Sequence, residues 1–154
     1  MVGLAASLSA CGNYPPSPTQ VTENYLYAVS EGQFASACSY LTAPSRAAMA
    51  ASSRPDESCT QALARCVPKN AIKLSQDQTQ LLYAGVNSSI TGRHATVAVQ
   101  GTAVADSIRS VSLTSRKGNW HLTSYGSGLV ACVRGLASSR RHRAHHRARH
   151  LRRK

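Results

Sequence analysis

The stretch Val111-Ser-Leu-Thr-Ser-Arg-Lys-Gly-Asn-Trp-His-Leu122 determines the class of fold that we predict. Apolar and polar residues alternate on both sides of Arg116-Lys117-Gly118-Asn119, which suits a tight hairpin turn. We therefore expect an antiparallel hairpin whose first strand directs Leu113 to the core. On the second strand Trp120 should be a core anchor, and His121 should point to solvent because neighbouring side chains face opposite ways.

Earlier segments show the same period of two and extend the hairpin into an antiparallel meander. Thr91-Gly92 provides a turn between the first two segments, and the third should run from Ile108 to Ser115. The positions that share one face are Leu82, Ala84 and Val86 in the first segment, Ala95, Val97 and Val99 in the second, Val111 and Leu113 in the third, and Trp120, Leu122 and Ser124 in the last.

The chain before residue 70 has the period of helices instead. Ser17 can cap a first helix that has Pro18 in its first turn, and Gly32 ends that helix. A second, shorter amphipathic helix follows. The apolar positions of these two helices are Val21, Tyr25, Ala28 and Val29, then Phe34, Ala37, Cys38 and Leu41.

A further helix is predicted after a segment of small residues at 43–51, which forms a turn or a helix of its own. Asp56 or Ser58 can cap this third amphipathic helix, and Pro68 ends it. Its inner face consists of Cys59, Ala62, Leu63 and Cys66.

Helices followed by an antiparallel meander predict an α+β domain. The N-terminal helices should pack on one face of a curved antiparallel sheet, because neither layer can bury its apolar face alone. We place this domain at residues 19–133, after a Pro-rich tether at 11–18 and before a basic Arg/His-rich tail at 134–154. About 115 residues are enough for a single hydrophobic core.

Four segments together resemble one bacterial domain family. Residues 21–32 read Val-x3-Tyr-Leu-x-Ala-Val-x-x-Gly, residues 34–41 read Phe-Ala-x-Ala-Cys-x-x-Leu, residues 57–59 read Glu-Ser-Cys before a helix, and the closing hairpin completes the set. This arrangement resembles the secreted, often lipidated, nuclear-transport-factor-2-like domains of bacterial envelopes. The resemblance spans Thr19 to Gly126 and implies a cone-shaped α+β roll around a long first helix, with a pocket that some members use for catalysis.

The chain departs from the catalytic members of that family, because the expected pocket strands contain no recognisable general base. Asp106 falls in an expected loop, His94 ends a turn, and His121 should point outward. Tyr25 and Tyr83 are expected to pack in the core with hydrogen-bonded hydroxyls. We therefore expect a domain that is not an enzyme and that requires no cofactor.

The N-terminal stretch Leu8-Ser9-Ala10-Cys11 has the pattern read by bacterial lipoprotein processing, and the Cys11 thiol would take the lipid. Residues 1–10 contain no Lys or Arg and are too few to span a bilayer as a helix. We interpret them as a truncated signal peptide whose true start lies upstream. A stiff polar tether follows at 12–18. These features predict a protein anchored by lipid on the extracytoplasmic face of the membrane, in the cell envelope.

Four cysteines remain if Cys11 is lipidated, and an even number on an exported chain indicates disulfides. Cys59 and Cys66 lie on one predicted helix, roughly 10 Å apart, which is too far for a bridge. Two connectivities stay open, and the pairs Cys38–Cys59 and Cys66–Cys132 are favoured because they join adjacent helices. A metal site is not expected, since C-x2-C spacing is missing from the sequence and the histidines are not spaced as ligands.

The net charge of +12 is concentrated at the C-terminus. Of 18 basic residues, eight lie in residues 140–154, so 10 basic and 6 acidic residues elsewhere leave the rest of the chain at +4. A run of this composition cannot bury apolar surface and is predicted to be disordered. The residues of this run that we predict to bind a polyanion are Arg140, Arg141, Arg143, Arg147, Arg149, Arg152, Arg153 and Lys154.

Two interpretations of the basic tail stay open. The tail contacts anionic lipid or a cell-wall polymer, or it is a low-complexity extension without a selected role. We expect a non-catalytic, lipid-anchored envelope protein with a binding or scaffolding role, and not a nucleic-acid partner. One alternative is a ligand-binding or enzymatic domain that uses the cone pocket. The other is a cytoplasmic nucleic-acid binder that uses the tail, which follows if the Cys11 pattern is fortuitous.

Deletion of residues 139–154 tests the role of the tail. The melting temperature should be nearly unchanged, because the segment has no apolar period with which to dock. Binding of the non-lipidated protein to anionic vesicles should nearly vanish. The intact protein should bind less at high salt, and should bind more at about pH 5.5 than at about pH 7.5 because the histidines gain charge. Vesicle binding that survives the deletion would place the basic surface elsewhere.

Overall fold

A computed structural model describes residues 15–72 and 86–135 and confirms the α+β class. The helices are α1 (Pro18–Ser30), α2 (Phe34–Ser39), α3 (Ala43–Ser52), α4 (Cys59–Cys66), α5 (Ala103–Ile108) and α6 (Val130–Val133). The strands are β1 (Asn87–Thr91), β2 (His94–Ala98), β3 (Ser110–Arg116) and β4 (Asn119–Leu122). The predicted positions Leu82, Tyr83 and Ala84 lie outside the described residues, as do Cys11 and residues 136–154 of the tail.

Capping boxes fix the starts of two helices. At α1 the Ser17 hydroxyl accepts a hydrogen bond from the Gln20 backbone N–H (3.2 Å), and the Gln20 side chain accepts one from the Ser17 N–H (3.0 Å). Ser58 and Gln61 repeat this exchange at α4, so Ser58 and not Asp56 is the cap. Pro18 is already helical, one residue before the predicted domain start, because its fixed φ suits a first turn.

The four strands form one antiparallel sheet in the order β1-β2-β3-β4. Val97 pairs with Val111, and Ala95 pairs with Leu113, which in turn pairs with Leu122; all five are buried on the inner face. The intervening residues form an outer face, where Thr96 pairs with Ser112 and His94 pairs with Thr114, opposite His121. The predicted alternation of β2 and β3 is therefore confirmed.

Helix α1 packs on the inner face of the sheet and contacts β2 and β4. Its buried side chains include Tyr25, Leu26 and Val29, each at most 1% exposed, and they form one core cluster with the inner face of the sheet. The helices thus cover one face, as the sequence predicts. The hydroxyl of Tyr25 is also hydrogen-bonded as expected, because it donates to the carbonyl of Tyr125 at 2.8 Å.

The expectation of a loop around Asp106 is wrong. Asp106 lies in α5, although its side chain is exposed as expected. Thr102 caps this short helix, since its hydroxyl accepts a hydrogen bond from the Ala105 N–H at 3.0 Å. Ile108 belongs to α5 and not to the following strand, because Arg109 takes a φ of +66° and redirects the chain into β3.

The last strand also differs from its prediction. Strand β4 ends at Leu122, so Ser124 lies beyond it, and Trp120 is only half-buried while Leu122 is fully buried. The regular pairing stops because the N–H groups of Thr123 and Ser124 both donate to Ser112 O, at 2.7 and 3.3 Å. Leu122 itself pairs with residues 40–42: its N–H donates to Tyr40 O (3.0 Å), and its carbonyl accepts from the Thr42 N–H (2.8 Å). His121 is exposed, as predicted.

Two glycines let the segment after β4 approach the end of α5. A Cβ on Gly128 would overlap the carbonyl oxygen of Ser107, and one on Gly126 would lie 2.9 Å from Ile108 Cγ2. The Gly128 N–H also donates to Ile108 O at 3.1 Å. Any side chain at these positions would push the segment away from the helix.

Two disulfides join the helices. Cys38 and Cys59 link α2 to α4 with Cα atoms 6.2 Å apart, and Cys66 and Cys132 link α4 to α6 with Cα atoms 5.6 Å apart. This is the connectivity that the sequence favours. The second bridge fixes α6, a helix of only four residues, to the body of the domain.

Removal of the bridge that closes the longer loop should destabilise the domain more, because the loop-closure entropy grows with the logarithm of loop length. On a chain-entropy estimate, alanine at Cys66 and Cys132 should lower the free energy of unfolding by about 4 kcal/mol, for a sequence separation of 66 residues. Alanine at Cys38 and Cys59 should cost about 3 kcal/mol, for a separation of 21. Chemical denaturation of both double variants measures this difference. The opposite order of stabilities would contradict the loop-entropy explanation.

Candidate functional site

An open groove of about 530 Å³ lies between α3, β3 and the segment 123–127 that follows β4. We call it the α3–β3 groove. Its volume falls within the roughly 300–1,000 Å³ that small-molecule sites occupy. Helix α3 contributes one wall, Ser110 and Ser112 of β3 line the groove across from it, and Val130 and Arg134 lie at its C-terminal side.

The groove lies on the face of the sheet opposite α1. Ser110 and Ser112 alternate along β3 with Val111 and Leu113, which are buried in the core, so the serines point to the other side. The space between α1 and the sheet is occupied by side chains that are at most 1% exposed, including Tyr25, Leu113 and Leu122. The groove is therefore distinct from a pocket between α1 and the sheet.

Hydrogen bonds hold the segment 123–127 in place beside β3. The Ser112 N–H donates to Ser124 Oγ at 2.8 Å, and the Ser127 N–H donates to Ser110 O at 2.9 Å. Ser45 Oγ on α3 donates to the carbonyl of Thr123 at 3.1 Å and so connects the two walls. These bonds continue the pairing with β3 after β4 has ended, and they fix the spacing of the hydroxyls.

Hydroxyl groups dominate the polar lining of the groove. Three of them, Ser112 Oγ, Thr123 Oγ1 and Tyr125 Oη, make no hydrogen bond to any described residue and are available to a ligand. The hydroxyl-bearing lining residues are Ser45, Ser52, Ser110, Ser112, Thr123, Ser124, Tyr125 and Ser127. The apolar ones are Pro44, Ala48, Met49 and Val130.

Arg134 gives the groove a positive charge. It is exposed and forms no ion pair within residues 15–72 and 86–135, and the lining contains neither a carboxylate nor an imidazole. Burial raises the pKa of the Tyr125 phenol, and the charge of Arg134 lowers that pKa to a smaller extent. The phenol is therefore protonated at neutral pH and can donate a hydrogen bond.

An ion pair supports the side of the groove formed by α6. Arg65 donates from Nε and Nη2 to the two carboxylate oxygens of Glu57, both at 2.7 Å, and from Nη1 to the carbonyl of Cys132 at 3.0 Å. The two side chains are only 21% and 11% exposed. The hydrogen bonds from Arg65 lower the pKa of Glu57 to about 2. This arrangement places a charged clamp beside the Cys66–Cys132 bridge.

A second, smaller cavity of about 340 Å³ lies on the other side of α6 and is lined by Asp106, Arg109 and both cysteines of the Cys66–Cys132 bridge. Asp106 Oδ1 accepts a hydrogen bond from the Gly101 N–H at 3.3 Å. This contact satisfies a loop amide, so Asp106 has a structural partner.

The residues singled out by the sequence separate into two groups. The disulfide cysteines are brought together in pairs, whereas Cys11 and the basic residues 140–154 lie outside the described residues. His94 and His121 lie on the exposed outer face of the sheet and do not line the groove. Among the described residues, no group of three or more His, Cys, Asp or Glu side chains could hold a metal ion.

Sequence reasoning missed the groove. The alternation along β3 indicates that Ser112 points outward, but no pattern shows that α3 will lie across from it. Thr123 falls at an outward position of the predicted last strand and Arg134 at the start of the predicted tail, so neither residue was singled out as part of a site. Comparison with family models, with curated proteins and with solved structures finds no match for this chain. Across the described ranges, no helix has the length and apolar character needed to cross a membrane.

The clamp predicts acid sensitivity of the folded state. Because the pKa of Glu57 falls from an ordinary value of 4.5 to about 2 on folding, its stabilisation is complete above pH 4.5 and is lost as pH falls towards 2. Glu57→Gln should lower stability at neutral pH by about 1 kcal/mol, since the pair is partly exposed and screened. It should also flatten the decline of melting temperature with acid.

Asp56→Asn is the matched control for this experiment. It removes the adjacent carboxylate, which forms no salt bridge among the described residues, and it keeps a side chain that tolerates the positive φ of this position. Its acid profile should follow that of the parent protein. Equal profiles for Glu57→Gln and the parent would show that the clamp does not stabilise the fold.

Proposed function

We propose that this chain is a lipid-anchored binding domain that works on the extracytoplasmic face of a membrane and holds a polar ligand in the α3–β3 groove. The observation that carries the binding role is the set of hydroxyls at Ser112, Thr123 and Tyr125 that have no hydrogen-bond partner among the described residues, beside Arg134, which forms no ion pair with those residues. A small number of hydrogen-bonding groups next to apolar side chains in a concave surface is the usual make-up of a binding site.

Two disulfides support the proposed location. Bridges such as Cys38–Cys59 and Cys66–Cys132 persist in oxidising compartments and are rare in the cytosol. The alternative of a cytoplasmic nucleic-acid binder would leave both bridges unexplained. On this proposal the lipidated thiol of Cys11 anchors the chain, and the Pro-rich tether holds the domain clear of the headgroups.

We propose further that the domain is a nuclear-transport-factor-2-like roll with a cone-shaped sheet. The packing of α1 on the inner face of an antiparallel meander supports this family, as does the buried Tyr25 of the first helix. A binding role is supported over acid–base catalysis because the described lining of the groove provides no carboxylate or imidazole to transfer a proton. On the same proposal the basic tail contacts anionic lipid or a cell-wall polymer.

Replacement of the lipidated residue tests the location. Cys11→Ser, expressed from the native start, should leave the domain folded and should move the protein from the membrane pellet to the soluble fraction at high salt, because the acyl chains are lost. Asn13→Ser, two residues further along the tether, should leave the protein in the pellet. Retention of Cys11→Ser in the pellet at high salt would rule out a lipid anchor at this residue.

A further inference from the structure

We infer that the α3–β3 groove binds a short anionic saccharide, with one anionic group against Arg134 and the sugar hydroxyls against Ser112, Thr123 and Tyr125. The inference rests on the proposed binding function and specifies the chemical class of its ligand.

The two walls of the groove present different chemistry. Pro44 and Ala48 of α3 are exposed apolar side chains on one side, and hydroxyls of β3 and of the segment 123–127 line the other. A sugar ring has the same division, because its C–H groups form apolar faces and its hydroxyls project from the edge. A flat apolar ligand would leave the hydroxyl wall desolvated without partners, which costs free energy.

The unbonded hydroxyls match a polyhydroxylated partner. Ser112 Oγ and Thr123 Oγ1 belong to exposed residues, and each can donate one hydrogen bond and accept others. Tyr125 adds a protonated phenol and an aromatic ring. A ligand rich in hydroxyls satisfies such groups in both directions, whereas a ligand with acceptors alone does not.

Arg134 selects a charged sugar over a neutral one. Its guanidinium is the one cation of the described lining, and no acidic side chain of that lining neutralises it. A guanidinium binds a carboxylate or a phosphate through two parallel hydrogen bonds, and these are stronger than bonds between neutral groups. Carboxylate and phosphate share this chemistry, so the test below includes both.

The groove is held open by the fold. Tyr25 fixes the carbonyl of Tyr125 from within the core, and the Cys66–Cys132 bridge fixes α6, which carries Val130 and ends next to Arg134. The walls therefore require little ordering when a ligand arrives, which favours binding. A volume of about 530 Å³ accommodates one or two sugar rings with their hydration.

Titration of the full chain, non-lipidated through Cys11→Ser, tests the inference. The probe is digalacturonate at millimolar concentrations, followed by NMR through the backbone amides of Ser112 and Thr123. Its dimethyl ester provides a neutral saccharide of the same shape, and glucose 6-phosphate provides a phosphate. Reading the groove amides directly separates groove binding from attraction of the anion to the basic tail.

We expect digalacturonate to shift these amides and Arg134→Gln to weaken its binding about tenfold, as loss of a charge-assisted pair at an open site implies. Thr123→Val should weaken it severalfold. The controls are Arg116→Gln, an exposed arginine on the β3–β4 turn, and Thr96→Val, an exposed threonine on the outer face beyond the groove; both should bind like the parent. If glucose 6-phosphate binds more tightly than digalacturonate, and Arg134→Gln weakens that binding, the inference is supported with phosphate as the anionic group.

Three results would overturn the inference. Equal affinity for the dimethyl ester would mean that the groove binds neutral saccharides, which leaves the proposed binding function intact but removes the role of Arg134. Equal losses of digalacturonate affinity in Arg134→Gln and Arg116→Gln would show that the anion responds to the net charge of the protein and not to a contact with Arg134. Unshifted groove amides with all three probes would exclude the saccharide class, while the membrane fractionation of Cys11→Ser tests the proposed location independently.

Discussion

The hydrogen bond from the hydroxyl of Tyr25 to the carbonyl of Tyr125 is the interaction on which the groove depends. Tyr25 is completely buried in the middle of α1, and burial raises the pKa of its phenol, which keeps the donor protonated. A buried hydroxyl without a partner costs about 1–3 kcal/mol, so the folded state is stable only if an acceptor lies within hydrogen-bond distance of the Tyr25 hydroxyl. The segment 123–127 supplies it, and its position beside β3 follows from a requirement of the core.

A second set of contacts holds the end of the domain. Helix α6 has only four residues and could not persist alone, since an isolated helix of this length is unstable in water. It is retained by the Cys66–Cys132 bridge, by Arg65, which donates to the carbonyl of Cys132, and by burial of Leu129 and Val133. The charge on Arg65 is in turn balanced by Glu57. The position of α6 is therefore determined by the disulfide, by the hydrogen bond from Arg65 and by burial of its apolar side chains, rather than by helix propensity.

The features that could be predicted from the sequence are those that leave a local pattern in it, unlike these two sets of long-range contacts. The caps at Ser17 and Ser58, the burial of α1, the inward face of β3 and the disulfide pairs all rest on local periods and spacings, and the structure has them. Helix α5 was missed because six residues are too few to establish a helical period. The ion pair of Glu57 with Arg65 was missed because its partners are eight residues apart across a helix cap.

The groove could not be predicted for a related reason. Most of its hydroxyls lie at outward positions of β3 or in the segment 123–127, where β4 has ended, and the alternation of the strands alone gives no reason to assign them to a site. They become a site only because Gly126 and Gly128 let the chain pack closely against α5 and because Ser45 on α3 bonds to Thr123. Each of these contacts joins residues far apart in the chain, and none of them leaves a periodic signal.

The same reasoning separates stability from binding in this domain. The core and the bridges lie on the α1 side of the sheet or at its end, whereas Ser112, Thr123 and Arg134 lie on the other face and bury little surface. On the proposed function, substitutions in the groove would therefore change ligand specificity without loss of the fold. Arg134 is also only six residues before Arg140 in the sequence, and six residues of fully extended chain span about 20 Å. On the proposal that both the groove and the basic tail bind an anionic polymer, one polymer could contact both, and the two contacts together would bind it more tightly than either alone.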